Sequence, residues 1–76
     1  SSSAASDVYK RQIQNLLLKA QQNGSAIILI SEDLDELLTM SDDISVMYKG
    51  MLSDPTETSS TDKLSIGLQM AGDGFL

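Results

Sequence analysis

The stretch Ala26-Ile27-Ile28-Leu29-Ile30-Ser31-Glu32-Asp33-Leu34-Asp35-Glu36-Leu37-Leu38 decides the fold. Its first five residues are all apolar, and three are Ile. β-Branched side chains suit a pleated strand, and the lack of alternation predicts cover on both faces. Burying each Ile or Leu is worth about 1.5–3 kcal/mol, so this run needs a layer on either side. A strand buried on both faces implies a larger, parallel sheet. Ser31 can then cap a helix. Glu32, Asp33 and Asp35 fall in or beside its first turn, where the helix dipole favours negative charge. Leu34, Leu37, Leu38 and Ser41 form its expected buried stripe, and the helix should end near Met40.

Downstream, Ile44 to Tyr48 reads as a second strand, with Ile44, Val46 and Tyr48 on one face and Met47 on the other. Strand, short helix and strand in this order favour a right-handed crossover and parallel pairing. Lys49-Gly50 suits a tight hairpin turn, Gly supplying a positive φ. Met51 to Ser53 is the short returning strand, and Pro55 ends it because Pro cannot donate to a ladder. Asp54 to Ser60 reads as a polar loop. Thr61 or Ser60 can cap a last helix over Asp62 to Met70, with Leu64, Leu68 and Ala71 on its apolar face and Gly72 as its stop. Residues 73–76 read as a frayed tail.

Upstream, Ile13 to Gln22 reads as a helix that stops at Asn23-Gly24. Tyr9, Ile13, Leu16, Leu17 and Ala20 share one face. Residues 1–12 are expected to be a disordered or non-native leader. Ser1 to Ser6 is small and polar. Asp7-Val8-Tyr9-Lys10-Arg11-Gln12 is like a translated sequencing adapter at the edge of an assembled fragment. The plainer alternative is a helix start capped by Ser6 or Asp7. The absence of an initiating Met predicts a truncated start. The fold class is therefore α/β, in the order helix-strand-helix-strand-strand-helix, occupying residues 13–72.

Composition bounds the chemistry. The chain has 76 residues, no Cys and no His. One domain is the maximum, and a core this small is marginal without staples. Disulfides, thiolate metal sites and imidazole general bases are excluded. Ser31 has no His to activate it as a nucleophile. With 11 acidic against 5 basic residues the net charge is −6. That sign opposes phosphate neutralisation, so no nucleic-acid partner is expected. Ala26 to Ile30 is far too short to span a bilayer. Glu32, Asp33, Asp35, Glu36, Asp42 and Asp43 invite a Ca²⁺ reading, but Leu37 and Leu38 stand where an EF-hand needs ligands and Gly. A solvated helix face accounts for them, and no metal site is expected.

Leu29 to Leu38, then Ser41-Asp42, then Ile44 to Gly50 resembles the segment around the switch histidine of ABC ATPases, members of the P-loop NTPase fold. In that family a buried strand leads to a Ser-His-Asp-Leu-type turn, a short helix, a Ser-Asp and a strand ending in a Gly hairpin. Ile66-Gly67-Leu68-Gln69-Met70-Ala71-Gly72 resembles the Met-Ala-Gly ending of importer subunits in the nucleoside and simple-sugar group. The resemblance covers residues 13–72. It implies that Ser31, Glu32 and Asp33 are nucleotide-proximal, and that Glu32 stands at the switch-histidine position. An imidazole can donate a hydrogen bond to a phosphate oxygen, whereas an ionised carboxylate only accepts and repels the phosphate. Carboxylate here resembles the second nucleotide-binding half of tandem importer subunits, where one ATP site is degenerate. The plainer reading of Glu32 is an exposed acid favoured at a helix start, and the two are compatible.

What the resemblance lacks matters as much. No G-x-x-x-x-G-K-[ST] occurs to cradle phosphates. Nothing resembles the Leu-Ser-Gly-Gly signature or the strand carrying the Mg-linked Asp and catalytic Glu. The resemblance thus implies a C-terminal piece of an ATP-binding subunit that couples ATP to nucleoside or simple-sugar import. ATP and Mg would serve the parent protein, and the piece alone would bind neither and hydrolyse nothing. Its partners would be the rest of the subunit and membrane permease subunits. Its place would be cytoplasmic, peripheral on the inner face of the cell membrane. The rival expectation is a stand-alone acidic α/β protein-interaction module without nucleotide chemistry. A compact, cooperatively unfolding monomer would favour that module.

Overall fold

A computed structural model describes the backbone of residues 2–76 and the side chains of residues 5–76. Its elements are α1 (Ser2–Gln22), α2 (Leu34–Met40), β1 (Asp43–Ile44), β2 (Met47–Tyr48), β3 (Met51–Leu52), β4 (Thr56–Glu57), a 3-10 turn (Thr58–Ser60) and α3 (Lys63–Met70). Helices and short antiparallel strands make a small α/β unit.

The hairpin forms as the sequence requires. Met47 pairs with Leu52 and Tyr48 with Met51. Lys49 at φ 46 and Gly50 at φ 78 give the doubly positive turn that matches strand twist. Ser53 N–H donates to the Val46 carbonyl at 2.8 Å, and the Ser53 hydroxyl accepts from Val46 N–H at 2.8 Å. Ile44 and Val46 are buried and Tyr48 is half-buried, so the expected inner face holds.

The strand expected over Ala26–Ile30 does not form. Among the described residues, no backbone hydrogen bond joins residues 26–30 to another strand. A ladder needs a neighbour within about 4.8 Å, and the two strand pairs that form join other segments, β1 with β4 and β2 with β3. Ile28 and Ile30 are each 92% exposed, while Leu29 is half-buried. The expected parallel crossover is likewise absent, since both strand pairs are antiparallel. Ile44 to Tyr48 is divided, β1 pairing with β4 and β2 with β3. β4 lies in the stretch expected to be a plain loop. It is drawn in where Thr58 N–H donates to the Asp42 carbonyl at 2.9 Å and the Thr58 hydroxyl donates to the Ser41 carbonyl at 2.7 Å.

The core is Ile44, Val46 and Ile66, ringed by Leu34, Leu37, Leu38 and Phe75. α3 therefore buries Ile66, at 2% exposure, and not the expected Leu64, Leu68 and Ala71 face; Leu64 is 72% exposed. The i, i+4, i+7 stripe is present in the sequence, but α2 and β2 lie against the other side of the helix. Asp62 caps α3, its carboxylate accepting from Ser65 N–H at 2.8 Å, in place of Thr61 or Ser60.

The start of α1 also differs from the sequence reading. The leader expected to be disordered is helical from Ser2 onward; Ser1 lies outside the described residues. Helix propagation continues upstream of Ile13 because nothing in Ala4 to Gln12 breaks it. Of its expected apolar face, Leu17 and Ala20 are half-buried, but Tyr9, Ile13 and Leu16 are exposed. The C-terminus is turned back, not frayed. Phe75 N–H donates to the Gly72 carbonyl at 3.0 Å, and the Phe75 ring lies 5.5 Å from the Tyr48 ring. That aromatic contact covers one side of the small core.

Candidate functional site

Ser31, Glu32 and Asp33 form one tight turn between the apolar segment Ala26–Ile30 and α2. The Ser31 hydroxyl accepts from Asp33 N–H at 3.0 Å. That bond uses the Ser31 side chain inside the turn, so Ser31 does not cap the helix. Asp33 does: its Oδ1 accepts from Glu36 N–H at 3.2 Å, and its carbonyl accepts from Leu37 N–H at 3.0 Å. Glu32 consequently lies before α2, exposed at the apex of the turn. None of the ion pairs among the described residues engages it.

Asp33 is occupied on both oxygens. Lys10 Nζ on α1 meets Asp33 Oδ2 at 2.5 Å and stands 3.9 Å from Glu36 Oε2. Gln14 Nε2 donates to the same Glu36 oxygen at 3.4 Å. Further along, Gln21 Nε2 donates to Asp42 Oδ2 at 3.2 Å. α1 is thereby strapped across the turn and the Ser41-Asp42 corner. The Lys10 ammonium, then the Glu36 amide, holds the Asp33 carboxyl below the usual carboxylate range. In return, the Asp33 carboxylate raises Lys10. At α3 the Ser65 amide similarly lowers Asp62.

The structure thus brings the three sequence-predicted residues together and differentiates them. Ser31 shapes the turn, Asp33 caps a helix and binds Lys10, and Glu32 alone presents an uncommitted side chain. Lys10 and Gln14 were not among the site residues read from sequence, and Glu36 was read only as part of a solvated acidic helix face. Their partners lie more than 20 residues away, and no local spacing signals such a pair.

These residues do not fit a nucleoside triphosphate. Glu32 and Asp33 are acceptors that repel phosphate, the one nearby cation is already paired, and the Glu36 amide is satisfied by Asp33. Among the described residues, no cluster of acids converges to hold a metal ion. Nor does any described helix have the length and apolar character to cross a membrane. A separate groove of about 720 Å³ is lined by the segment Ala26–Ile30 together with Leu17, Leu18, Met47 and Leu52 among others. Ser31, Glu32 and Asp33 do not line it.

Comparison with known proteins gives these positions a context. The chain is 39% identical over 62 residues to a glucose import ATP-binding protein of Haloferax volcanii, covering 82% of this chain and 11% of that relative. It is 35% identical over 60 residues to a nucleoside import ATP-binding protein of Lactococcus lactis subsp. cremoris, covering 79% of this chain and 12% of that relative. With a ribose import ATP-binding protein of Clostridium perfringens it shares 41% identity over 64 residues, covering 78% of this chain and 13% of that relative. The chain therefore spans only about one eighth of the length of these curated relatives. No protein-family model matches it, and no solved structure matches it. The sequence matches a fragment of ABC import ATP-binding proteins.

Proposed function

We propose that this chain is the C-terminal piece of the second nucleotide-binding half of an ABC importer subunit, with Glu32 at the switch-histidine position. The carrying observation is the run of matches to import ATP-binding proteins over about four fifths of the chain. Supporting it is the turn itself, in which Glu32 stands exposed between a strand-like apolar segment and a short helix. In the parent, ATP and Mg would supply the phosphoryl chemistry. Glu32 offers an acceptor-only carboxylate toward the terminal phosphate, which weakens that site. Ser31 and Asp33 hold the turn that presents it. The parent is a cytoplasmic subunit, peripheral on the inner face of the membrane, docked on permease subunits and coupling ATP to uptake of a nucleoside or simple sugar. No nucleic acid is involved. On this reading the piece is inactive alone.

Fragment complementation tests the reading. The Clostridium perfringens relative, cut before its matched segment, is mixed with the 76-residue chain, and association is followed by calorimetry and size exclusion. A one-to-one complex that is not formed with a scrambled peptide supports the proposal. No complex, where the relative's own excised segment rejoins its parent, would overturn it.

A further inference from the structure

We infer that Asp73 is a site of spontaneous modification in the folded chain, where conversion to isoaspartate releases Phe75 from the core. The sequence holds two pairs in which Asn or Asp precedes Gly, Asn23-Gly24 and Asp73-Gly74. In such a pair the backbone nitrogen of the Gly can attack the preceding side-chain carbonyl carbon, because no Cβ hinders its approach. The attack also needs that nitrogen free of other engagements.

The structure treats the two pairs differently. Gly24 N–H donates to the Gln21 carbonyl at 2.9 Å. It does so inside a cap where Asn23 N–H donates to the Lys19 carbonyl at 3.1 Å and Ser25 N–H to the Ala20 carbonyl at 3.0 Å. Moving the Gly24 nitrogen onto the Asn23 side chain must first open that cap. Near Asp73 the flanking amides are held instead. Asp73 N–H donates to the Leu68 carbonyl and Phe75 N–H to the Gly72 carbonyl, each at 3.0 Å. Among the described residues, Gly74 N–H between them donates to nothing. Asp73 is exposed and enters none of the ion pairs among the described residues. A Cβ built at Gly74 would meet nothing within 4 Å, so no neighbour crowds the reacting residue.

The step balances without another reactant. Gly74 N bonds to Asp73 Cγ, and the carboxyl OH leaves with the amide proton as water. Water then adds to the resulting succinimide. Opening at the side-chain carbonyl restores Asp73, and opening at the main-chain carbonyl routes the backbone through Cγ. The chain between Gly72 and Phe75 is then longer by one methylene. That span is a single tight turn closed by the Phe75 to Gly72 bond, and it seats the Phe75 ring 5.5 Å from Tyr48. The longer backbone cannot keep both contacts.

The full chain aged for weeks in near-neutral buffer, with and without urea, tests this by peptide mapping. Isoaspartate at residue 73 leaves the mass unchanged but resists a protease that cuts at Asp; Asn23 loses ammonia and becomes an acid. Folding should slow Asn23 by about tenfold, because its cap must open, and should change Asp73 by less than about twofold. Asp73→Glu, which would have to close a larger ring, should accumulate no isoaspartate. The separated isoaspartate form should lose its Tyr48–Phe75 contact in NMR spectra, while aged Asp73→Glu keeps it. Folding that slowed Asp73 as strongly as Asn23, an Asn23 rate indifferent to folding, or an isoaspartate form that kept the ring contact would each overturn the inference. It does not rest on the proposed function.

Discussion

Replacing Gly72 by Ala separates two kinds of strain at the C-terminal turn. Gly72 has φ 110, a conformation L side chains rarely adopt. A Cβ built there meets Tyr48 Cζ at 2.9 Å, the Tyr48 hydroxyl oxygen at 3.0 Å and Leu76 Cδ1 at 3.1 Å. Gly74 has φ 84, but its Cβ would meet nothing within 4 Å. Both substitutions incur backbone strain of about 1–2 kcal/mol. Only Gly72→Ala adds crowding against the Tyr48 ring, which overpacking studies put at about 1–3 kcal/mol. Tyr48 cannot retreat freely, because its other neighbour is the Phe75 ring. The expected loss is thus about 2–5 kcal/mol for Gly72→Ala and about 1–2 kcal/mol for Gly74→Ala. With three buried hydrophobic residues among the described ones, total stability belongs at the low end of the usual range, about 4 kcal/mol. Gly72→Ala should therefore leave a marginal fold, with net stability between about 2 and −1 kcal/mol. Urea titrations followed by circular dichroism measure the difference. Equal midpoints for the two variants would refute the crowding argument.

The strap between α1 and α2 should depend on pH. Asp33 is lowered on folding, so its contribution is present above its unfolded value near 4 and disappears as pH falls through the folded one. Lys10 is raised, so its contribution is present below its unfolded value near 10.4 and disappears as pH rises through the folded one. An NMR titration of the Asp33 carboxyl should find a midpoint below the ordinary range, and Lys10→Ala should move it up; an unmoved midpoint would sink the strap. Purified, metal-checked chain should hydrolyse no ATP above a no-protein blank, and turnover that copurifies with it would contradict the missing phosphate cradle.

Local chemistry was legible where it depends on a few adjacent residues. Lys49-Gly50 announced the hairpin, and Asn23-Gly24 announced the end of α1. Both helix caps were read one to two residues too early. Each cap is an Asp placed just after the predicted Ser or Thr, and an ionised carboxylate accepts an amide proton more strongly than a hydroxyl does. At Ser31 the competition is explicit, since its hydroxyl is consumed by the Asp33 amide. The Ser31-Glu32-Asp33 turn was therefore located correctly in sequence, but the division of labour within it was not. Its ties to Lys10, through Asp33 and Glu36, depend on how α1 lies across the fold, and no pattern within a single element encodes that.

Most misreadings of burial point in one direction. Periodicity assigned inner faces to Tyr9, Ile13 and Leu16 and to Leu64 and Leu68, the unbroken apolar run predicted cover for Ile28 and Ile30, and all seven are exposed. Random error in reading a stripe would as often bury a residue expected outside. Only Ile66 and Phe75 moved that way among the described residues. An apolar stripe records what a residue is selected to touch, whether or not that neighbour is present. Three separate elements with uncovered apolar faces are the pattern expected when the layers that cover them belong to other chain. The relatives, of which this chain spans about one eighth, have length enough to supply those layers. On the proposed reading the stripes describe the parent subunit, and the small core of Ile44, Val46 and Ile66 is what this segment can bury by itself. The reading further requires that the same seven residues lose solvent exposure together in the complementation complex. Hydrogen exchange over Ala26–Ile30 reports it most directly, because those amides have no ladder partner in the free chain; protection that failed to rise on complex formation would remove the argument.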